Sequence, residues 1–200
     1  MNFFYPIAFV GAYLLGSIPF GYLAGRLKGI DLREHGSGNI GATNAVRILG
    51  KPVGYTVFAF DFLKGLLAAG MPTWLGAPEW VAILCSLCVV VGHNFPVWLR
   101  FRGGKGIATS GGVMLGLVPQ AFVVSLVAWG VLFFTTRYVS LASLAAALGL
   151  PATTGVLYVM GKGSGLLFGV TALMCVMAVW LHRGNIRRLL AGTESRAKKK

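Results

Sequence analysis

Residues 109–136, which read TSGGVMLGLVPQAFVVSLVAWGVLFFTT, determine how this chain folds. This stretch holds no charged residue, and it is longer than the roughly 20 residues that a helix needs to cross a bilayer. Near its middle, residues 116–120 read GLVPQ, and the glycine and proline there are residues that interrupt helices. We therefore expect two short, tilted helices that meet at this point, each of them a crossing.

Apolar runs of similar length make up most of the chain. Of its 200 residues, 56% are hydrophobic and only 12% are charged, about half the charged fraction of a soluble domain. Hydropathy places six candidate spans at residues 4–25, 52–71, 79–99, 109–136, 139–160 and 164–181. The composition predicts an all-α, polytopic integral membrane helix bundle, a single domain over residues 1–200.

The distribution of positive charge predicts the topology. The net charge is +13, and the basic residues crowd around the polar segments between spans and in the tail, at Arg196 and residues 198–200. Positive residues favour the cytoplasmic side, so these regions should share that face. Six crossings would separate residues 182–188 from the other polar segments. Splitting 109–136 gives seven crossings, with the amino terminus outside and the carboxyl terminus cytoplasmic. Because the cations flank membrane spans, we expect no nucleic-acid partner.

The first polar segment, residues 36–50, has the composition of an anion site. Its glycines permit positive φ, which turns consecutive N–H groups into one concavity, an anion-binding nest. The candidate ligand contacts are Ser37, Gly38, Asn39, Gly41, Thr43, Asn44 and Arg47. Thr43 or Asn44 is expected to cap a short helix that ends at Gly50, with Arg47 near its first turn. The alternative is an ordinary polar loop between two spans.

The second segment, residues 92–109, carries Gly103, Gly104 and Gly106 around Lys105, directly before a new apolar helix. This pattern predicts a phosphate cradle. It lacks the first glycine and the Ser or Thr of a nucleotide-hydrolysing P-loop, so we expect phosphate recognition without nucleotide hydrolysis. The nearby Arg100 and Arg102 either contact the ligand or extend along the membrane interface.

The third segment, residues 182–194, begins where the last span ends. His182 is a candidate acid, base or hydrogen-bond donor, although a histidine here can also be merely interfacial. Asn185 lies one turn later, on the same face if the helix continues. Glu194 is expected to anchor the tail to the surrounding arginines.

Four further candidate residues fall within spans. Asp61 and Lys64, at i, i+3 spacing, predict a structural ion pair in the bundle interior, the alternative being a proton pathway. Ser140 and Ser143 are secondary candidates for ligand contacts. The five acidic residues are scattered, so we expect no metal site and no cofactor.

These pieces together resemble the bacterial acyl-phosphate:glycerol-3-phosphate acyltransferase family (the PlsY type). The matching residues are Gly16–Gly21, Gly36–Asn44 with Arg47, Gly92–Thr109, and His182-x-x-Asn185-Ile186-x-Arg188 with Glu194. The resemblance implies acyl transfer from acyl phosphate to the 1-position hydroxyl of glycerol 3-phosphate, giving lysophosphatidic acid and phosphate for phospholipid synthesis. It implies that neither acyl-CoA nor acyl carrier protein is the donor.

The resemblance also implies residue roles. Ser37, Arg47, His182 and Asn185 match residues that matter for activity, the glycines at 103, 104 and 106 match the glycerol 3-phosphate site, and Glu194 matches a residue needed for integrity.

The residues themselves favour a site that faces the cytoplasm, with Lys105 among the catalytic cations, and the resemblance implies the bacterial inner membrane. No nucleophile triad is present, so we expect direct transfer without an acyl-enzyme. The base is either His182 or an oxygen of the donor phosphate. A small-anion transporter is the alternative function, but a transporter should carry its polar site near mid-membrane.

Overall fold

The computed structural model describes residues 4–197, and this part of the chain forms ten α-helices and no strand. The helices are α1 Phe4–Ser17, α2 Phe20–Leu27, α3 Ala42–Leu49, α4 Lys51–Trp74, α5 Glu79–Asn94, α6 Ile107–Leu117, α7 Pro119–Thr136, α8 Val139–Val159, α9 Gly165–Leu181 and α10 Arg183–Leu190. The predicted all-α class is confirmed. Residues 198–200, which entered the charge argument, lie outside the described range.

The break predicted in residues 109–136 is confirmed. Helix α6 ends at Leu117 and α7 begins at Pro119, with Val118 between them in a non-helical conformation (φ −143°, ψ 81°). Pro119 disfavours helical geometry at the residue before it and has no N–H to donate, so the break falls where the chemistry requires it. The chain divides at the same point into two compact units, called here the N-terminal unit, up to Leu117, and the C-terminal unit, from Val118.

Within residues 4–197, five helical segments are long and apolar enough to cross a membrane: Phe4–Leu27, Lys51–Trp74, Glu79–Leu99, Pro119–Thr136 and Val139–Val159. Helices α9 and α10 together pass the same test but are bent by 57°. Helix α6 is apolar but shorter. The count of seven crossings and the orientation of the termini stay predictions.

In the N-terminal unit, glycines allow the backbones of neighbouring helices to touch. Helix α1 lies against α5, where a methyl group at Gly16 would overlap the backbone of Val89. Helix α4 lies against α6, where a methyl at Gly112 would overlap the carbonyl of Phe62. A methyl at Gly21 would likewise overlap the carbonyl of Ile40, whereas one at Gly169 would meet no atom within 4 Å.

In the C-terminal unit, α8 packs against both α7 and α9, and α10 contacts α8 and α9. The hydroxyls of Thr154 and Thr171 are 2.7 Å apart and join α8 to α9. Helix α7 exposes a broad apolar surface, with Val127 59% and Phe134 70% exposed. Apolar surface of this extent suits contact with lipid chains.

Candidate active site

In the N-terminal unit, the first segment is organised by Asn44. Its Oδ1 accepts hydrogen bonds from the Ser37 N–H (3.0 Å) and from Arg47 Nη1 (3.2 Å). Its Nδ2 donates to the carbonyls of Leu32 (3.2 Å) and His35 (2.9 Å). One buried amide therefore brings Ser37 and Arg47, two of the predicted catalytic residues, to the same oxygen. Both remain exposed, whereas Asn44 is only 1% exposed.

The predicted capping of α3 was wrong. The N-cap is Gly41, with no side-chain hydrogen bond, while Thr43 and Asn44 lie inside the first turn of the helix. Asn44 turns its amide back onto the preceding loop, which leaves Thr43 exposed. The helix ends at Leu49 with Gly50 as its C-cap, close to the predicted end, but Arg47 lies in its last turn, not near its first.

The predicted nest of N–H groups is only partly formed. Gly36 and Gly38 have positive φ (62° and 70°), as expected, but Gly41 has φ −73°. The N–H of Gly38 donates to His35 O, and that of Gly41 donates to Asn39 Oδ1 at 2.8 Å. Because these donors are used inside the loop, exposed side chains such as Ser37 and Arg47 are the groups that this segment offers to an anion.

The turn that leads into this segment is fixed by an ion pair. Arg33 Nη2 lies 2.6 Å from Asp31 Oδ2, and the Arg33 N–H also donates to Asp31. These hydrogen bonds from Arg33, together with its charge, lower the pKa of Asp31 to about 2. Asp31 is therefore ionised and neutralised by its neighbour at any physiological pH.

The second segment folds back onto the end of α5. Arg100 and Phe101 both adopt left-handed φ (53° and 60°), which reverses the chain. The N–H groups of Gly103 and Gly104 then donate to the carbonyls of Asn94 (3.0 Å) and His93 (3.1 Å).

Glycine is required in this loop for two different reasons. A methyl at Gly103 would overlap the His93 carbonyl and the Pro96 ring, while Gly106 has φ 77°, a conformation that other residues rarely adopt. The predicted new helix starts directly afterwards, at Ile107. Lys105 is half-buried between the glycines, whereas Arg100 and Arg102 are exposed.

Beneath this loop lies a buried charged cluster, only part of which was predicted. Lys64 Nζ lies 2.8 Å from Asp61 Oδ1, so the expected ion pair is confirmed. His93 Nδ1 lies 3.3 Å from the same oxygen, and all three side chains are at most 7% exposed. No role for His93 was predicted from the sequence. A histidine at the end of an apolar span is visible in the sequence, but its proximity to Asp61 depends on how α4 and α5 pack.

The third segment lies in the C-terminal unit. His182 joins α9 to α10 at the 57° bend and is 3% exposed. Its Nδ1 lies 2.8 Å from the Ala178 carbonyl. A carbonyl only accepts, so Nδ1 carries the proton, and in the neutral ring Nε2 is the basic nitrogen.

Glu194 holds the elements of this segment together. Its Oε1 accepts from Ser140 Oγ (2.7 Å) and from Asn185 Nδ2 (2.6 Å), and its Oε2 accepts from Arg188 Nε (2.7 Å). The predicted anchoring of the tail through an arginine is therefore confirmed. Because the helix bends at His182, it does not continue straight as the prediction for Asn185 required, and the Asn185 amide faces Glu194.

These contacts determine the charge state of Glu194. Burial alone would raise the pKa of its carboxyl, but the hydrogen bonds from Ser140, Asn185 and Arg188, with the charge of Arg188, outweigh burial and lower it. Glu194 is thus an anion that orients Asn185. Ser140 serves as a structural donor to it, and Ser143 is buried on the same helix at 5% exposure.

Beyond Glu194 the tail stays attached to the C-terminal unit. The Ala197 N–H donates to the Arg137 carbonyl at 2.9 Å, and the Arg196 guanidinium lies 4.9 Å from the centre of the Tyr138 ring. In residues 4–197, no three His, Cys, Asp or Glu side chains are grouped as a metal site would require.

Known proteins resemble this chain in both sequence and fold. A family model described as glycerol-3-phosphate acyltransferase matches residues 6–192. A glycerol-3-phosphate acyltransferase of Synechococcus sp. (strain CC9902) is 46% identical over 185 residues, which are 92% of this chain and 90% of the relative. One of Bacillus velezensis is 44% identical over 188 residues, 94% of each chain.

Two solved structures of PlsY (YgiH), an integral membrane glycerol 3-phosphate acyltransferase, have the same fold. The glycerol 3-phosphate form has a TM-score of 0.89 at 40% identity and covers 97% of this chain and 96% of that one. The lysophosphatidic acid form has a TM-score of 0.85 at 39% identity, covering 97% and 95%. These matches favour acyl transfer over the transporter alternative. With its apolar helices and anion-suited polar segments, the chain belongs to the glycerol-3-phosphate acyltransferase family and is an integral membrane enzyme.

Proposed function

We propose that this enzyme transfers a fatty acyl group from acyl phosphate to the 1-position hydroxyl of glycerol 3-phosphate. The products are lysophosphatidic acid and inorganic phosphate, and neither acyl-CoA nor acyl carrier protein replaces the donor. The observation that carries the proposal is the convergence of Ser37 and Arg47 on Asn44, in a unit that also presents Lys105 between glycines. Two substrates that each bear a phosphate need this supply of cations and small residues.

In the proposed reaction, the acceptor hydroxyl oxygen attacks the carbonyl carbon of the mixed anhydride. The bond from that carbon to the bridging oxygen breaks, phosphate leaves, and a base takes the hydroxyl proton. The donor is already activated, so the protein's main tasks are to hold two anions against their repulsion and to stabilise the charge that develops. Arg47 and Lys105 supply positive charge, Ser37 supplies a hydroxyl donor, and Asn185 supplies an amide.

The other residues that we propose to bind substrate are Gly38, Asn39, Gly41, Thr43, Asn44, Gly103, Gly104, Gly106, Ser140 and Ser143. Within this set, Gly103, Gly104 and Gly106 allow the loop that carries Lys105 to pack closely on the end of α5, whereas Asn44 and Ser140 act by holding Ser37, Arg47 and Glu194 in place.

The base is either His182, through Nε2, or an oxygen of the departing phosphate. His182→Gln distinguishes them, because glutamine keeps a polar group near the Nε2 position but does not take a proton. Turnover near the wild-type value would exclude His182 as the obligatory base, whereas a loss of about two orders of magnitude would support it.

Direct transfer is proposed because no Ser-His-Asp arrangement is evident in the sequence. Donor alone, labelled in the acyl chain, tests this: labelled protein that accumulates and then discharges on addition of glycerol 3-phosphate would contradict direct transfer. Activity that falls with EDTA and returns with a divalent cation would contradict the proposal that no metal takes part.

The proposed location is the bacterial inner membrane, with the three polar segments facing the cytoplasm and the amino terminus outside. It rests on the excess of Lys and Arg around these segments. Single cysteines at Ser37 and Thr193, in a background without the native cysteines, test it in right-side-out vesicles. A membrane-impermeant maleimide should label neither until the vesicles are opened, and labelling of intact vesicles would contradict the assignment.

The donor assignment is tested with purified protein, glycerol 3-phosphate and three donors: acyl phosphate, acyl-CoA and acyl carrier protein. The expected result is phosphate release and lysophosphatidic acid formation with acyl phosphate only. Product formed with acyl-CoA alone would refute it.

A further inference from the structure

The position of the Gly103–Gly106 loop depends on the last residues of α5. Two backbone hydrogen bonds tie the loop to that helix, from Gly103 to Asn94 and from Gly104 to His93. The imidazole of His93 also packs directly on Gly104, so closely that a methyl group at Gly104 would overlap Nε2 and its neighbouring ring carbon. Gly104 has no positive φ, so its requirement for glycine is the presence of this ring and not backbone conformation.

The His93 ring is in turn held by Asp61, which also pairs with Lys64. Asp61 Oδ1 lies 3.3 Å from His93 Nδ1 and 2.8 Å from Lys64 Nζ. Lys64 Nζ also donates to the Ile18 carbonyl at 3.0 Å, in the break between α1 and α2. Charged groups buried to this degree persist only when they are paired. The pairing therefore fixes the positions of these side chains, and with them the position of the His93 ring.

We propose that Asp61, Lys64 and His93 form a positioning cluster whose function is to set the place of Gly104, and with it the Lys105 loop, for the phosphate of glycerol 3-phosphate. This inference rests on the proposed function. The cluster does not touch substrate: it acts through Gly104. It gives Asp61 and Lys64 a role beyond pairing with each other, and it gives His93 a role in substrate affinity.

A double-mutant cycle between His93 and Gly104 tests the contact directly. Purified full-length protein is assayed for phosphate release with glycerol 3-phosphate varied at saturating acyl phosphate. His93→Ala is expected to raise the KM for glycerol 3-phosphate about tenfold and to change kcat less than about threefold, because the reacting groups remain while the cradle is displaced. Gly104→Ala should raise the same KM by at least as much, since its methyl meets the ring.

The double variant gives the decisive reading. Removal of the ring creates the space that the new methyl needs, so His93→Ala/Gly104→Ala should have a KM no higher than His93→Ala alone. Independent effects would instead multiply, to about a hundredfold. If the two KM effects multiply in the double variant, the proposal is overturned. It is also overturned if only the KM for acyl phosphate rises.

Two further variants separate positioning from general loss of stability. Val89→Ala removes buried apolar volume one turn earlier on α5, and it should lower the thermal stability while leaving the KM unchanged. Asp61→Asn keeps an oxygen near His93 but removes the charge, and it should raise the KM for glycerol 3-phosphate. If Val89→Ala raises the KM as much as His93→Ala does, the positioning role is refuted.

If His93→Ala does not fold, His93→Asn replaces it in the cycle, because asparagine keeps a donor near Asp61 and lacks the ring atoms that meet Gly104. Wild-type protein is measured in every series. Wild type that fails to acylate glycerol 3-phosphate from acyl phosphate would refute the proposed function. If the wild type is active but the effects of His93→Ala and Gly104→Ala on the KM multiply, the positioning cluster is refuted while the proposed function stands.

Discussion

Replacement of Glu194 by alanine tests how the third segment is built. The carboxylate accepts three hydrogen bonds of 2.6–2.7 Å, and its side chain is 8% exposed. Hydrogen bonds to a charged group each contribute about 1.5–3 kcal/mol, which applies to the Ser140 and Asn185 bonds. Arg188 is 45% exposed, so its pair with Glu194 adds about 0.5 kcal/mol. Alanine also avoids the cost of burying the carboxylate, which leaves a net loss of about 3 kcal/mol.

For a chain of this length, that loss corresponds to a fall in the apparent Tm of about 6–12 °C. The assay is thermal unfolding of detergent-purified protein, with acyltransferase activity measured at a temperature where both proteins are folded. Activity should fall at least tenfold, because Asn185 loses the partner that orients it. Thr193→Ala is the matched control: it removes only a 3.5 Å contact to the Arg188 carbonyl and should shift the Tm by about 1 °C or less. A Glu194→Ala protein with wild-type Tm and turnover would show that these hydrogen bonds neither stabilise the third segment nor orient Asn185.

Three further outcomes follow from the same geometry. Folding lowers the pKa of Glu194, so its contribution to stability is present above its ordinary pKa of 4.5 and is lost as the pH falls through the lowered value. The Tm difference between wild type and Glu194→Ala should therefore vanish in acid and persist at neutral pH. Asn44→Ala should cost about 2–4 kcal/mol in thermal unfolding and should reduce turnover at least tenfold, since it releases Ser37 and Arg47 together. Unchanged turnover would show that these two residues need no shared anchor. Gly106→Ala should raise the KM for glycerol 3-phosphate about threefold or more, because φ 77° costs alanine about 1 kcal/mol, and an unchanged KM would exclude a need for glycine there.

The sequence predicted the helical class, the break before Pro119 and the Asp61–Lys64 pair, because each depends on neighbouring residues or on hydropathy. The anchoring of Glu194 by an arginine was predicted, but its hydrogen bond with Ser140 was not, because it joins residues 54 positions apart. Local patterns carry no information about a contact that only helix packing creates, and the same is true of His93 beside Asp61.

The errors have a common physical cause. Thr43 and Asn44 fit a capping position by residue type, but the Asn44 amide bonds three groups that precede the helix and the Arg47 side chain within it, and no cap can compete with that set. In the same way, Gly41 was taken as a positive-φ residue, whereas its N–H is held by Asn39 and it begins the helix in extended geometry.

Acyl phosphate is proposed as the donor for glycerol 3-phosphate acylation, and single-turnover product formation by purified protein tests this donor. Wild type and Arg47→Ala are compared on acyl phosphate and on acyl-CoA of the same chain length. Wild type should form stoichiometric lysophosphatidic acid and phosphate from acyl phosphate and none from acyl-CoA, and Arg47→Ala should form at least a hundredfold less. Lysophosphatidic acid formed from acyl-CoA but not from acyl phosphate would contradict it.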